Sequence, residues 1–160
     1  MRQAICAVRG LLLDKAMTMI EITRDLLLQI NAEAEKSYPN ECCGFIIGVL
    51  NDPQKKTAET IIPCENQFDE DEKFHRFLIR PEEMLKVQRN AAKSGKDIIG
   101  FYHSHPDCRA IPSEYDRSHA LPIYSYVIAS AVKGKTVETL CWMLDENNQF
   151  QSEKIKELAK

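Results

Sequence analysis

The chain has 160 residues, 21 basic and 24 acidic side chains, a formal net charge of −3 and 44% apolar residues. That length favours one domain with a substantial core. The near-balanced charge excludes the basic stripe of a nucleic-acid surface, and no apolar run reaches the ~20 residues of a membrane helix. Arg9, Asp14 and Lys15 interrupt the first twenty residues, so no secretion signal is read there. Six cysteines without a C-x-x-C pair argue for reduced thiols rather than a disulfide framework, and a cytoplasmic location is expected.

Met17 and Met19 stand just before the first patterned segment. Residues 1–18 are read as an N-terminal extension, 19–152 as the domain and 153–160 as a lysine-rich tail. Ile22, Leu26, Ile30 and Ala34 fall four apart and predict a helix with Thr23 as N-cap, ended by Pro39-Asn40. GFIIGVL (44–50) reads as a buried strand, Asn51-Asp52-Pro53 as a turn and Ala58 to Pro63 as the returning strand. The alternation of FHRFLI (74–79) predicts a further strand. Pro81 suits a first helical turn, Glu82 and Glu83 favour that terminus, and Gly95 is a good stop. Asp97 to Tyr102 is an apolar strand running into His103, and Ser113 starts a helix to about Leu121. Tyr124 to Ser130 and Thr136 to Leu144 read as strands around a turn at Gly134, and Asn147-Asn148 marks a turn before a last strand. Strands that alternate with helices and then run together predict an α/β fold with a mixed central sheet.

The chemistry concentrates in GFYHSHPDCRAIPSEYDRSHA, residues 100–120. Strand alternation points His103 and His105 to one side and Ser104 to the other, and Pro106 ends the strand. Ser113 and Asp116 share a helix face. Two imidazoles and one carboxylate make a three-ligand set, which for zinc leaves a fourth position open to water. The same pieces also fit a hydrogen-bonded histidine pair and a Ser-x-x-Asp capping box. Glu41, at the mouth of the apolar strand in NECCGFIIG, is either a solvated strand end or a general base.

Glu41, His103-Ser104-His105-Pro106, and Ser113 with Asp116 resemble the motif of the JAB/MPN metallopeptidases, the JAMM proteases. ECCGFIIG is similar to the Glu-x-Cys-Gly-x-x-x-Gly opening of the small bacterial branch. The resemblance covers roughly residues 20–150. It implies a cytidine-deaminase-like α/β/α sandwich and one Zn²⁺ per chain, held by His103, His105 and Asp116 with a water as fourth ligand. It implies Glu41 as base and acid, and Ser113 as hydrogen-bond donor to the oxyanion. It further implies cleavage of a peptide, isopeptide or amino-acid adduct bond after the C-terminal Gly-Gly of a ubiquitin-like protein. The short chain favours a sulfur-carrier substrate, with no nucleic-acid or membrane partner. A non-catalytic scaffold of the same family, or a metallohydrolase of small peptides, are the rival readings.

Other residues compete for attention. His119 is expected to be a solvated helical histidine rather than a fourth ligand, His75 a strand side chain and Cys108 a plain loop cysteine. A thiol protease built on Cys42 or Cys43 ranks low, because no histidine is locally placed as partner. Base deamination is not supported, because Cys108 lacks a second cysteine at the required spacing.

Overall fold

The computed structural model describes residues 18–52 and 55–159. The proposed extension (but for Thr18) and Pro53 of the expected turn lie outside the described residues. Seven strands stand among those described: β1 (Met19–Thr23), β2 (Cys43–Asp52), β3 (Lys55–Cys64), β4 (Asp97–Pro106), β5 (Ser125–Val132), β6 (Lys135–Leu144) and β7 (Phe150–Leu158). Three α-helices accompany them, α1 (Arg24–Ser37), α2 (Pro81–Ala92) and α3 (Glu114–His119), with a 3-10 turn at Glu70–Glu72. The α/β class and the mixed sheet are as expected. β1 pairs in parallel with β3 and β7, β4 runs parallel to β5, and the remaining pairings are antiparallel.

The sheet differs from an open α/β/α sandwich in that it closes, in the order β1-β3-β2-β4-β5-β6-β7. β1 makes the closure, with Ile20 opposite Lys56 on one side and Ile155 on the other. The sequence pattern hid this strand, because Ile22 keeps the four-residue spacing of the helix that follows. Ile20 and Ile22 are fully buried, so β1 is held by its apolar side chains as well as by its ladders.

Thr23 caps α1 by accepting the Leu26 amide hydrogen. Leu26, Ile30 and Ala34 bury one stripe of α1 against Ile20, Ile46, Tyr102, Val127 and Ala129. Each such Leu or Ile is worth about 1.5–3 kcal/mol on burial. The other side of the central strands presents Phe45, Ile47, Phe101 and Tyr126 to Val87 and Ala91 of α2. Gly44 lies under the Tyr102 ring, where a Cβ would fall 2.5 Å from ring atoms. Gly95, past the end of α2, takes a left-handed φ of 67°.

Two expectations are corrected. Residues 74–79 form no strand: the segment pairs with no ladder and is held by Asn66, whose side chain donates to the Arg76 carbonyl and accepts from the Leu78 amide. Residues 153–158, read as a tail, belong to β7, where Glu153 is buried and Lys156 ion-pairs with Glu21 of β1. Their charge concealed a strand whose polar side chains find partners.

Candidate metal centre

β4 carries both histidines. His103 and His105 are 1% and 6% exposed and turn to the same side, while fully buried Ser104 turns to the other. Asp116 arrives from the first turn of α3. Ser113 is the N-cap: its hydroxyl accepts the Asp116 amide hydrogen, and its own N–H donates to Asp116 Oδ2 at 2.6 Å. The Ser113 hydroxyl also donates to Oδ2, at 2.7 Å. The capping box and the metal reading therefore coexist, because the cap fixes the carboxylate against the imidazoles.

The three ligand groups converge. His103 Nε2 lies 3.1 Å from His105 Nε2 and 3.3 Å from Asp116 Oδ1, and His105 Nε2 lies 3.3 Å from Asp116 Oδ2. Ligands about 2.0–2.1 Å from a tetrahedral ion stand roughly 3.3–3.4 Å from one another, so the donor set fits one small divalent cation. His105 Nδ1 meets the Arg109 carbonyl at 2.8 Å. A carbonyl only accepts, so Nδ1 carries the hydrogen and a neutral ring turns its Nε2 lone pair to the centre. Phe77 stacks on His103 with ring centroids 4.6 Å apart.

Glu41 approaches from the start of β2, 5% exposed. Its N–H donates to the Lys73 carbonyl and its carbonyl accepts from Asn66. Burial pushes its carboxyl up to about 8, His105 pulls it down and Asp116 pushes it further up. Burial also lowers His103, partly opposed by Asp116. For His105 burial acts downward, but Asp116, the Arg109 carbonyl and Glu41 outweigh it and the net direction is up. Burial disfavours the Asp116 charge, yet His103, His105 and the Ser113 N–H hold it well below the carboxylate range. The four groups thus share one electrostatic environment that favours the charge on Asp116 and, without a cation, disfavours the charge on Glu41.

The description "prokaryotic homologs of the JAB domain" matches residues 23–145. The chain belongs to this prokaryotic JAB family. Among its relatives is a desampylase of Haloferax volcanii, 34% identical over 109 residues, 67% of this chain and 75% of that one. A CysO-cysteine peptidase of Mycobacterium tuberculosis is 30% identical over 122 residues, 75% of this chain and 80% of that one. A solution structure of a Desulfitobacterium hafniense protein superposes with a TM-score of 0.71 at 29% identity, over 88% of this chain and 94% of that one.

In this JAB domain the five residues singled out from sequence, Glu41, His103, His105, Ser113 and Asp116, stand in one region. His119 is exposed, stacks on Tyr115 and is not among the convergent donors. His75 lies outside any strand, paired with Glu72. Cys108 is exposed. Burial pushes the Cys42 thiol up to about 12, which leaves no thiolate there for a protease. Asn66, Phe77 and the Arg109 carbonyl position the site and were not singled out from sequence. The even face of FHRFLI distracted from Phe77, and a backbone carbonyl leaves no residue signal. An apolar cavity of about 280 Å³ opens beside the ligands, walled by Phe77, Ile79, Met84, Phe101, Leu121 and Tyr126 and bordered by His103 and Asp116. No described helix is long and apolar enough to cross a membrane.

Proposed function

We propose that this JAB domain is a zinc-dependent hydrolase that cuts the bond after the C-terminal Gly-Gly of a ubiquitin-like protein, a sulfur carrier being the favoured substrate. The observation that carries the reading is the meeting of two imidazole Nε2 atoms and an Asp116 carboxylate within 3.3 Å of one another, beside the buried Glu41 carboxyl. The names of the relatives, desampylase and CysO-cysteine peptidase, agree with a substrate of the ubiquitin-like class. A scaffold would need none of these positions, and all are filled.

His103, His105 and Asp116 would hold one Zn²⁺, which supplies Lewis acidity and brings the pKa of water to about 7. The chain's own groups do the rest. Glu41, in a dry environment, takes the proton of the attacking water and returns it to the leaving nitrogen. A cation held by His103, His105 and Asp116 would draw the Glu41 carboxyl back down, so that it is ionised to take that proton and can then return it. The Ser113 hydroxyl, which here donates to Asp116, turns to the oxyanion as charge develops on the scissile carbonyl. The apolar cavity excludes water next to His103 and receives apolar substrate surface.

The test pairs Gly-Gly-linked carrier fusions with ordinary peptides, with and without a chelator, and weighs the products. Scission directly after Gly-Gly, abolished by chelation and restored by zinc, is expected. Equal turnover of ordinary peptides, or indifference to the chelator, overturns the reading.

A further inference from the structure

We infer that Cys43 and Cys64 form an oxidation site, a dithiol beside the metal centre that closes to a disulfide when a peroxide reaches it. The two residues are direct partners across the antiparallel β2–β3 ladder. Directly opposed residues project to the same face with Cα atoms about 4.5–5.5 Å apart, inside the 4.4–6.8 Å range that a disulfide spans. The Cys43 thiol donates to the Cys64 carbonyl at 3.6 Å. The remaining described cysteines lie elsewhere: Cys42 packs toward α1, Cys141 donates to Glu153 and Cys108 is on an exposed loop.

The pair is asymmetric in the way such chemistry needs. Cys64 is half-buried and Cys43 is 1% exposed. Cys64 is thus the thiol that solvent can reach, and Cys43 is the buried partner directly across the ladder. A reachable thiol next to a protected resolving thiol is the arrangement of a redox sensor. The Cys64 thiolate attacks a peroxide oxygen, an S–O bond forms, the O–O bond breaks and hydroxide leaves, which takes up the proton that Cys64 had released and becomes the first water. The Cys43 sulfur then attacks Cys64, the S–S bond forms, the S–O bond breaks and a second water leaves with the Cys43 proton. Two thiols give up two electrons, and one peroxide becomes two waters.

The row continues into the centre. Cys43 is also the direct partner of His103 across β2–β4, and it follows Glu41 by two residues. Closing the bond ties the start of β2 to the end of β3 and shifts Glu41 relative to His103. This consequence rests on the proposed hydrolase reading; the disulfide does not.

The experiment treats the zinc-loaded full chain with hydrogen peroxide, blocks remaining thiols with N-ethylmaleimide and maps the digest by mass spectrometry. A Cys43–Cys64 linked peptide is expected, with loss of two hydrogens from the intact mass and reversal by dithiothreitol. Cys64→Ser abolishes the link and Cys108→Ser keeps it. Full alkylation of both thiols after peroxide, a Cys64 sulfinic acid without the link, or Cys64 joined to another cysteine overturns the inference. Hydrolysis in parallel should fall about tenfold or more in the linked wild type and stay constant in Cys64→Ser. A linked protein with an unchanged rate overturns the coupling alone. A reduced protein that hydrolyses nothing overturns the hydrolase reading, with the link still scored by mass.

Discussion

Ser104 Oγ accepts the Cys42 amide hydrogen at 2.8 Å, and the Ser104 N–H returns a bond to the Cys42 carbonyl at 3.2 Å. The residue between the two imidazoles thus grips the residue that follows Glu41. Ser104→Ala leaves a buried N–H unpaired, at a cost of about 1–3 kcal/mol. For a domain of this size that is a Tm loss of roughly 2–10 °C. It also frees Glu41 to drift from the histidines, and a displacement of ~1 Å can cost ~10²-fold in rate. Thermal unfolding and single-turnover rates check the two effects separately. An unaltered rate in a destabilised variant would confine Ser104 to a structural part.

Glu41→Gln should keep its metal, measured by elemental analysis, and lose about 10²–10⁴ in turnover. Its effect on stability has a definite sign. Burial raises the carboxyl from 4.5 to about 8, so between those values the metal-free folded chain keeps a proton that the unfolded chain has released. Stability therefore falls across that window as pH rises. Glutamine has no such titration, so the stability of Glu41→Gln relative to wild type should climb from about pH 4.5 and level off near pH 8. Urea unfolding of the two metal-free proteins measures it, and a flat or falling difference contradicts the burial of that carboxyl.

Local chemistry was readable where it is decided locally. Thr23 and Ser113 cap the helices expected of them, Pro81 opens α2, and the alternation of His103, Ser104 and His105 set their faces. What the sequence could not give depends on partners far along the chain. FHRFLI has the composition of a strand, yet no ladder partner lies beside it and its exposure does not alternate. β1 borrowed the spacing of α1. A last strand was expected, but its second half from residue 153 looked like a solvated tail because its partners, such as Glu21, lie more than a hundred residues earlier. The nearness of Glu41 to Ser104 and His105 follows from the β2–β4 register, which no local pattern encodes.

Phe77 is the contact that shields His103, through rings stacked 4.6 Å apart. Phe77→Ala should admit water to the imidazole and loosen its orientation. Groups that orient a ligand without touching the metal typically contribute 10–100-fold in affinity, and zinc affinity should fall by about that factor, as competition with a chromogenic chelator would show. Because burial is what lowers His103, the metal-free variant should also titrate that ring at higher pH than wild type by NMR. An unshifted ring with unchanged zinc affinity would assign Phe77 to the cavity wall only.

Glu21 clamps the seam that closes the sheet. From β1 it accepts Lys156 of β7 at 2.8 Å, Lys55 of β3 at 3.2 Å and the Thr57 hydroxyl at 3.1 Å. The Lys156 hydrogen bond is foremost in lowering its carboxyl from 4.5 to about 2; burial opposes this, and Lys55 and Thr57 assist. A carboxyl depressed in the folded state contributes stability that is present above about pH 4.5 and is lost as pH falls toward about 2. Glu21→Gln removes the charge but keeps the shape. The variant should be less stable than wild type at pH 7, and the gap should narrow through that acid window until the two proteins coincide near pH 2. Denaturant unfolding as a function of pH reads the gap directly. A gap that persists unchanged to pH 2 would mean that packing at the seam, rather than the ionised clamp, holds β1 between β3 and β7.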